Sequence, residues 1–259
     1  MEEIITLGPE GTFAHGAAKE IARVFDAPIR FEKTISKVFD RLSMENVIVV
    51  PLENSDAGSV GQTVDNLYRI EGVRIITEID IPIHHNLCSF VELKDITDIY
   101  AHPQSAAQCE DYLSKLAHAA VIETSSNARS AQLAKENKGS AILPKIASDI
   151  YGVPLIIENI ENTKNNTTRF IVCSKKSMDG FWGKKTSIII DPKEDRPGLL
   201  YEILGILSDV NLTKIESRPS KRKLGDYIFY IEMETNPDLD KLSKIAEVKF
   251  LGSYGRYNA

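Results

Sequence analysis

Cysteine is scarce in this chain of 259 residues, and the three cysteines, Cys88, Cys109 and Cys173, lie far apart without any C-x-x-C pair. Neither a disulfide framework nor a zinc knuckle is therefore indicated. No apolar run reaches the 18 residues that a membrane-spanning helix needs, so we expect no membrane partner. The N-terminus lacks a basic region followed by an apolar run, so we expect no signal peptide and a cytoplasmic protein.

Positive charge is not in excess either. The chain has 31 lysines and arginines against 37 acidic residues, which gives a net charge of −6. A nucleic-acid-binding protein usually shows a basic stripe, so we expect no nucleic-acid partner. An anionic small ligand stays compatible, because local groups can dominate a weak net field. The length favours two domains, although one large α/β domain remains possible.

The chain opens with a strand, a glycine loop and a helix. The strand is predicted at Glu3–Leu7, and the loop at residues 8–11 contains two glycines and a proline. Helical spacing of apolar residues begins at Phe13, directly after Thr12, whose hydroxyl can cap the first turn. A helix N-terminus at this position presents N–H groups and a partial positive charge to an anion.

Short strands and helices then alternate as far as residue 174. Strands are predicted at 46–51, 73–81, 84–91, 99–101, 121–123, 140–143, 156–160 and 168–174. Helices are predicted at 60–70, 105–116, 127–134 and 144–150. Residues 175–185, with two glycines and four lysines, are predicted to be a linker.

The pattern changes beyond this linker. Strands are predicted at 186–191, 212–218, 227–234 and 248–254, and helices at 197–208 and 239–245. Pro197 would occupy a first-turn position of its helix. The order βαββαβ matches the ferredoxin-like split βαβ motif.

The most unusual polar stretch leads into the strand predicted at 168–174. Asn166, Thr168 and Arg169 place a carboxamide, a hydroxyl and a guanidinium close to one strand end. An arginine beside a hydroxyl suits a carboxylate substrate, because its fork pairs with the anion through two hydrogen bonds. On the residues alone, however, we favour a turn with the arginine in a surface ion pair over a site.

Other polar clusters also have two interpretations. Residues 53–55 follow a buried strand, where α/β sheets bind ligands, but they are equally compatible with an Asx or ST turn. Gln104 and Gln108 are four residues apart and can share one helix face, as ligand-binding residues would. The alternative interpretation is a helix start with polar caps. Adjacent histidines on a strand, such as His84 and His85, point to opposite faces, so we expect no metal there.

Six segments together resemble the prephenate dehydratase family, in that family's order. Four of them resemble its catalytic region: GPEGTF at 8–13, PLENS at 51–55, HPQ at 102–104 with Gln108 and Cys109, and NTTRF at 166–170. Two of them, PGLL at 197–200 and ESRP at 216–219, resemble the phenylalanine-binding motifs of the regulatory ACT domain.

This resemblance implies an α/β fold with a two-lobed periplasmic-binding-protein-like catalytic region and a C-terminal ferredoxin-like (βαββαβ) ACT domain. The catalytic region would span 1–177, with lobe 1 at about 1–80 and 163–177 and lobe 2 at about 81–162, and the ACT domain would span 185–259. The chain would cross between the lobes near residues 80–85 and return near 159–168. Thr168 would then lie at the hinge and at the cleft together.

The resemblance also implies an activity. Prephenate dehydratases remove water and carbon dioxide from prephenate to form phenylpyruvate in L-phenylalanine biosynthesis, with no cofactor and no metal. Allosteric regulation by L-phenylalanine through the ACT domain and a homodimer or homotetramer are implied as well. The alternatives are an arogenate dehydratase and a non-catalytic amino-acid-sensing binding protein, and a pure sensor would not require the segment at 168–170.

Residue roles follow from the same resemblance. Thr168 would be catalytic, donating or relaying a proton to the departing ring hydroxyl. Substrate binding would involve Thr12, Asn54, Ser55, Gln108, Ser126, Arg169 and Phe170. We favour Arg169 as a carboxylate anchor over a structural ion-pair role. The effector-binding residues would be Pro197, Gly198, Leu199, Leu200, Asn211, Leu212, Glu216, Ser217, Arg218 and Pro219.

The sequence departs from the family pattern at two positions. Leu199 replaces the usual alanine of the first ACT motif, which we expect to alter effector affinity or selectivity. Asn127 replaces the threonine of an S-T-A segment, so a carboxamide stands in place of a hydroxyl.

Overall fold

A computed structural model describes residues 1–176, 183–192, 194, 196–235 and 237–257. The fold is mixed α/β with two sheets. The strands are β1 (Glu3–Leu7), β2 (Ile29–Glu32), β3 (Asn46–Asn54), β4 (Gly58–Ser59), β5 (Arg74–Pro82), β6 (Asn86–Ser89), β7 (Asp98–Ala101), β8 (Ala120–Glu123), β9 (Ser140–Leu143), β10 (Leu155–Ile157), β11 (Thr167–Ser174), β12 (Lys185–Pro192), β13 (Leu212–Pro219), β14 (Tyr227–Met233) and β15 (Ala246–Arg256).

The helices cover the faces of these sheets. They are α1 (Phe13–Phe25), α2 (Ile35–Asp40), α3 (Gly61–Arg69), α4 (Pro103–Gln108), α5 (Glu110–Leu113), α6 (Asn127–Asn137), α7 (Lys145–Tyr151), α8 (Leu199–Ile206) and α9 (Leu239–Ser243), with 3-10 turns at Leu93–Asp95 and Ser114–Leu116. None of the described helices is long and apolar enough to cross a membrane.

The larger sheet runs through both ends of the chain. Its strand order is β13-β14-β12-β15-β5-β11-β3-β1-β2, with β4 beside β3. The smaller sheet has the order β10-β6-β9-β7-β8. Strand β15 pairs in parallel with β5, through Gly255 with Thr77 and Arg256 with Glu78. Among the described strands, this one parallel pairing connects the C-terminal strands β12–β15 to residues 1–176, here called the first part of the chain.

The first part of the large sheet is buried on both faces. Strands β1 and β3 pair in parallel and carry continuous apolar runs, as expected for strands covered by helices on two sides. On one face they pack against α1 through Ala17 and Ile21. On the other face Val38 of α2 and Leu67 of α3 join the core.

Residues 185–256, here called the C-terminal unit, form the order β12-α8-β13-β14-α9-β15. All pairings within its four strands are antiparallel. Helices α8 and α9 cover one face, where Ile203 and Leu242 are fully buried. The opposite face packs against α3 through Ile189 and Tyr230, so the unit shares a hydrophobic core with the first part of the chain.

The chain crosses between the two sheets twice. The first crossing lies between β5 and β6, and the return lies between β10 and β11. The crossings are joined to each other, because Ile83 N–H donates to the Asn166 carbonyl at 2.9 Å and His85 N–H donates to Glu161 Oε2 at 2.9 Å.

Several elements differ from their predicted bounds. The strand predicted at 46–51 continues to Asn54, because its last residues pair with β11 and β4. The helix predicted at 105–116 is divided into α4, α5 and a 3-10 turn, and the break lies at Cys109, whose φ is −118°. The strand predicted at 156–160 ends at Ile157. Strand β2 and helix α2 have no predicted counterpart.

The second half contains one further correction. The helix predicted from Pro197 begins at Leu199, since Gly198 has a φ of 80° and serves as its N-cap. Pro197 therefore precedes the helix rather than occupying its first turn. Of the linker predicted at 175–185, residues 177–182 lie outside the described residues.

Candidate active site

A cleft of about 920 Å³ lies between the two sheets, beside the two crossings. Its walls come from both sides, so the chain segments on either side of the crossings contribute to one space. The predicted catalytic and substrate-binding residues that line it are Thr12, Asn54, Gln108, Ser126 and Thr168. Three others, Ser55, Arg169 and Phe170, do not line it.

The hydroxyl of Thr168 is held by the side chain of Asn54. The two residues stand opposite each other on the paired strands β11 and β3. Asn54 Nδ2 donates to Thr168 Oγ1 at 2.9 Å, and Asn54 Oδ1 accepts from the backbone N–H groups of Asp56 and Ala57 at 3.0 and 2.8 Å. These two backbone donors fix the orientation of the carboxamide. Because Asn54 occupies an acceptor position of the hydroxyl, the O–H of Thr168 is left to donate into the cleft.

Two neighbours support this pair from behind. Asn166 is 2% exposed, and its Oδ1 accepts from Asn54 Nδ2 at 2.6 Å. Ser55 Oγ accepts from the Thr167 N–H at 3.0 Å, and the Ser55 N–H donates to the Thr167 carbonyl at 2.9 Å. Ser55 lines an adjacent cavity instead of the cleft. Ser55 joins the two strand ends in this structure, and its substrate contact stays a prediction.

Three helix N-termini face the cleft. Helices α1, α3 and α6, of 13, 9 and 11 residues, reach it through Thr12, Gly61 and Ser126. The hydroxyls of Thr12 and Ser126 cap their own first turns at 3.3 and 3.1 Å. The other first-turn amides of these helices suit an anion. Among the described lining residues, Lys33 alone contributes a lysine or arginine charge.

The wall formed by the smaller sheet is also polar. Ser105 Oγ donates to Asn127 Oδ1 at 2.9 Å, and both residues line the cleft. The carboxamide of Asn127, which replaces a threonine hydroxyl of the family pattern, is thus held in place by a neighbouring helix. His102 and Gln104 complete this wall.

His85 is a cleft residue that the sequence analysis did not assign. It lies in the first crossing, is 2% exposed, and places Nε2 2.8 Å from Oε1 of Gln108. Burial lowers its pKa, although the Gln108 hydrogen bond and the Glu161 carboxylate oppose that shift. The imidazole is therefore neutral near pH 7. The available signal was its position in the predicted crossing near residues 80–85.

Arg169 faces away from the cleft, because successive residues of a strand point to opposite faces. Its side chain is 8% exposed, with Nη1 3.0 Å from Glu78 Oε2 and 2.7 Å from Glu232 Oε2. Its Nη2 lies 2.8 Å from Glu53 Oε1. The expectation of a carboxylate anchor is wrong for this structure, since three carboxylates of the chain itself already occupy the guanidinium. Arg169 takes the ion-pair role that the sequence left open.

Phe170 is a core residue and not a ligand contact. It is 2% exposed and packs with Ala17 and Ile79 beneath α1. The expectation that it binds substrate is therefore corrected. It shares a strand face with Thr168, but it lies deeper, where the helix covers the sheet.

The ion pairs around Arg169 continue into a larger group, the junction cluster, which consists of Glu53, Glu78, Arg169, Lys185, Lys214, Glu232 and Arg256. It joins strands of the first part to strands of the C-terminal unit. Burial alone would raise the pKa of Glu78, but the nearby Lys185 and Arg169 lower it overall. Burial likewise opposes the lowering of the Glu53 pKa by Lys214 and Arg169.

The predicted effector-binding residues fall in two places of the C-terminal unit. One group stands at the start of α8 (Pro197, Gly198, Leu199, Leu200), and the other stands on or just before β13 (Asn211, Leu212, Glu216, Ser217, Arg218, Pro219). Gly198, Leu199 and Leu200 line a cavity of about 210 Å³. Leu199 is 7% exposed and packs into the core of the unit, whereas Leu200 is 39% exposed.

Arg218 contacts the first part of the chain instead of that cavity. Its Nε and Nη2 donate to the two oxygens of Asp65 on α3, at 3.0 and 3.2 Å. Its guanidinium also covers Gly61, where a Cβ would lie 2.4 Å from Nη1. Because Gly61 lines the cleft, Arg218 connects β13 to a helix N-terminus of the candidate site. None of the β13 group is among the described residues that line the cavity at the start of α8, although Leu212 packs against the same core cluster as Leu199.

Among the described residues, no cluster of three or more histidine, cysteine or acidic side chains is arranged to hold a metal ion. Burial raises the pKa of Cys109 to about 12, with a smaller contribution from Glu161. The thiol is therefore protonated at neutral pH. The chemistry of this site lies in its hydroxyl, carboxamide and imidazole groups.

Comparison with known proteins identifies the family. The family model for prephenate dehydratase matches residues 4–178. Prephenate dehydratase of Methanocaldococcus jannaschii is 38% identical, over 96% of this chain and 95% of that protein. A bifunctional chorismate mutase/prephenate dehydratase of Aquifex aeolicus is 34% identical, over 97% of this chain and 73% of its own length.

A solved structure agrees with these sequence relatives. The crystal structure of prephenate dehydratase from Arthrobacter aurescens in complex with L-Phe superposes with a TM-score of 0.86 at 31% identity, covering 98% of this chain and 90% of that one. Both the sequence and the fold therefore match over nearly the whole length, and the chain belongs to the prephenate dehydratase family.

Proposed function

We propose that the chain converts prephenate to phenylpyruvate, with release of water and carbon dioxide. One observation carries the proposal: the Thr168 hydroxyl accepts a hydrogen bond from a fixed Asn54 carboxamide at 2.9 Å and faces the cleft between the sheets. In this reaction the ring hydroxyl leaves with a proton as water. The electron pair of the bond to the departing carboxylate enters the ring, which becomes aromatic.

Thr168 acts on the leaving hydroxyl. Asn54 donates to Thr168 Oγ1, so the proton of Thr168 is directed to the substrate oxygen. The hydrogen bond from Thr168 to the substrate strengthens as the carbon–oxygen bond of the substrate breaks and negative charge develops on the leaving oxygen. Such strengthening is the condition for electrostatic stabilisation of a transition state. The hydroxyl either transfers its proton or relays one, and positioned donors contribute in both cases.

The two carboxylates of the substrate are held by the first turns of helices and by neutral donors. The amides after Thr12 and Ser126 and the side chain of Gln108 face the cleft from both walls. Lys33 adds a charge at its rim. Aromatisation supplies the driving force for loss of carbon dioxide, so the site has to orient the substrate and admits the reaction without a metal or an organic cofactor.

We further propose the following organisation. Residues 1–177 form the catalytic region, with lobe 1 at about 1–80 and 163–177 and lobe 2 at about 81–162, and 185–259 form an ACT regulatory domain. The order βαββαβ of the C-terminal unit supports this division. The buried, unpaired cysteines among the described residues suit a reducing compartment, so the cytoplasm is the proposed location.

L-Phenylalanine is the proposed effector, bound between ACT domains of two copies. A relative 31% identical to this chain is solved in complex with L-Phe. In the described part of the chain, the cavity at the start of α8 is lined by Gly198, Leu199 and Leu200 but by none of the predicted effector residues of β13, which favours a site completed by a second copy. Strand β13 stands at the edge of the large sheet and is open to such pairing. A homodimer or homotetramer is therefore proposed.

The test is a turnover assay with purified protein and no added cofactor. Prephenate should yield phenylpyruvate, and L-phenylalanine should lower the rate. Arogenate, which carries an amine in place of the ketone, is measured in parallel, and faster turnover of arogenate would assign the chain to that substrate. Binding of L-phenylalanine by calorimetry without turnover of either substrate would make the protein a sensor and overturn the proposal.

A further inference from the structure

We infer that His85 is a positioning residue that holds the Gln108 side chain with its amide N–H groups toward the cleft. The inference rests on the proposed function, because it assigns a role within the same cleft. Gln108 would then meet an anionic substrate as a donor. Without His85 the carboxamide could rotate and present its carbonyl oxygen instead.

The proton on His85 can be placed from its surroundings. The imidazole is neutral near pH 7 because burial lowers its pKa, so it carries one N–H. Nε2 lies 2.8 Å from Oε1 of Gln108, and a carbonyl oxygen can only accept. The proton is therefore on Nε2. Nδ1, which is buried and has no hydrogen-bond partner among the described residues, is then a bare acceptor, and an unpaired acceptor is tolerated better than an unpaired N–H.

Both residues are fixed by the return crossing, so their contact is not a chance approach of mobile side chains. The backbone of His85 donates to Glu161 Oε2 at 2.9 Å and accepts from the Ile160 N–H at 2.8 Å. The carbonyl of Gln108 accepts from the Asn162 N–H at 2.7 Å. Phe13 also packs edge-on against the imidazole, with the ring centroids 5.6 Å apart.

The direction of the amide matters because the substrate is an anion. Once Gln108 Oε1 accepts from His85, the two N–H groups of the carboxamide are the part left for the cleft. A carboxylate or a departing hydroxyl is stabilised by N–H donors and repelled by a carbonyl oxygen. His85 thus determines which end of the Gln108 carboxamide faces the substrate, without contacting the substrate itself.

The test compares three replacements of His85 with prephenate as substrate. His85→Gln retains a donor near the position of Nε2, whereas His85→Asn is too short and His85→Phe has no donor. We expect kcat/KM to fall roughly 10- to 100-fold for Asn and Phe, the range for a hydrogen bond involving a charged group, and to stay within about threefold of wild type for Gln. Equal losses in Gln and Asn would overturn the inference, and this pair decides the matter even if His85→Phe does not fold.

A second set of variants separates positioning from general packing. Gln108→Met removes the carboxamide at nearly constant volume and should itself lower kcat/KM about as much as His85→Asn. In that background His85→Asn should cost less than about twofold more, because residues that act through each other are not additive. Independent, multiplying losses would overturn the role of His85. His118→Phe, at an exposed position that does not line the cleft, serves as the control and should retain activity. A wild-type protein that does not turn over prephenate would overturn the proposed function and this inference together, whereas an active wild type with additive variants overturns the inference alone.

Discussion

Thr168 and Arg169 are neighbours on β11, yet they serve regions of opposite character. Thr168 faces a cleft lined by hydroxyls, carboxamides and helix N-termini. Arg169 faces the junction cluster, where three carboxylates surround one guanidinium. The alternation of side chains along a strand separates these regions without any intervening loop.

The difference follows from what each region has to do. A cleft that admits an anion must keep its donors unpaired until the substrate arrives. The junction cluster, which is buried between strands, must pair its charges within the protein, because removing one partner from a buried ion pair costs several kcal/mol. The same strand therefore presents a reactive hydroxyl on one face and a structural arginine on the other. Because Thr168 and Arg169 are adjacent in the chain, a movement of the junction cluster also moves Thr168.

The largest effect is expected at the hydroxyl. Thr168→Val should lower kcat by about 10²- to 10⁴-fold, the range for a positioned proton donor or transition-state hydrogen bond, with little change in thermal stability. Thr168→Ser should keep most of the activity. Thr167→Val is the control, because that side chain lines the adjacent cavity and not the cleft. Near wild-type turnover in Thr168→Val would show that the Thr168 hydroxyl is not catalytic.

The arginine should respond in the opposite way, through stability. Arg169→Met leaves Glu53, Glu78 and Glu232 without their shared partner, so we expect a loss of about 3 kcal/mol in the free energy of unfolding by urea at pH 7.5. Adding Glu232→Gln should recover part of that loss, since it removes one unpaired carboxylate. Arg23→Met, which breaks an exposed pair, should cost less than about 1 kcal/mol. Full stability with abolished turnover would return Arg169 to the role of substrate anchor.

A smaller, graded effect is expected from acid, and it differs between the two regions. Folding lowers the pKa of His85 from 6.5, chiefly by burial, so the unfolded chain binds the proton first and stability falls as pH drops through 6.5. The carboxyls of Glu53 and Glu78 have pKa values lowered from 4.5, against burial, by neighbouring cations. Their contribution is complete above pH 4.5 and is lost below it.

Urea unfolding measured from pH 7.5 to pH 3.5 should therefore show two separate declines. His85→Gln should reduce the decline near pH 6.5, leaving the part due to His15, whose pKa is also lowered mainly by burial. Arg169→Met should change only the decline below pH 4.5. A single decline shared by both variants would mean that the two regions do not titrate independently.

The residues that line the cleft were predicted better than the residues that form the junction cluster. Thr12, Asn54 and Thr168 each stand at a strand end or a helix start, which local patterns identify, but their assignment to a substrate site came from the resemblance to the family. The alternation of side chains places Thr168 and Arg169 on opposite faces of a strand, but the resemblance had assigned both residues to one substrate. The alternation does not show which face meets the C-terminal unit. The pairing of β15 with β5 brings together residues about 180 positions apart, and no local periodicity encodes such a contact.

The smallest expected effect tests whether the junction cluster couples the C-terminal unit to the cleft. Lys214 on β13 contacts Glu53, the residue before Asn54, and donates to Ser59 Oγ at 2.6 Å at the edge of the cleft. Lys214→Met should leave turnover without effector close to wild type and raise the L-phenylalanine concentration for half-inhibition by roughly two- to thirtyfold, the usual range for one residue in a coupling network. Lys241→Met, which breaks an exposed pair on α9, should leave inhibition unchanged. Equal inhibition of the Lys214 variant and wild type would show that the junction cluster holds the sheets together without transmitting the state of the C-terminal unit to Asn54.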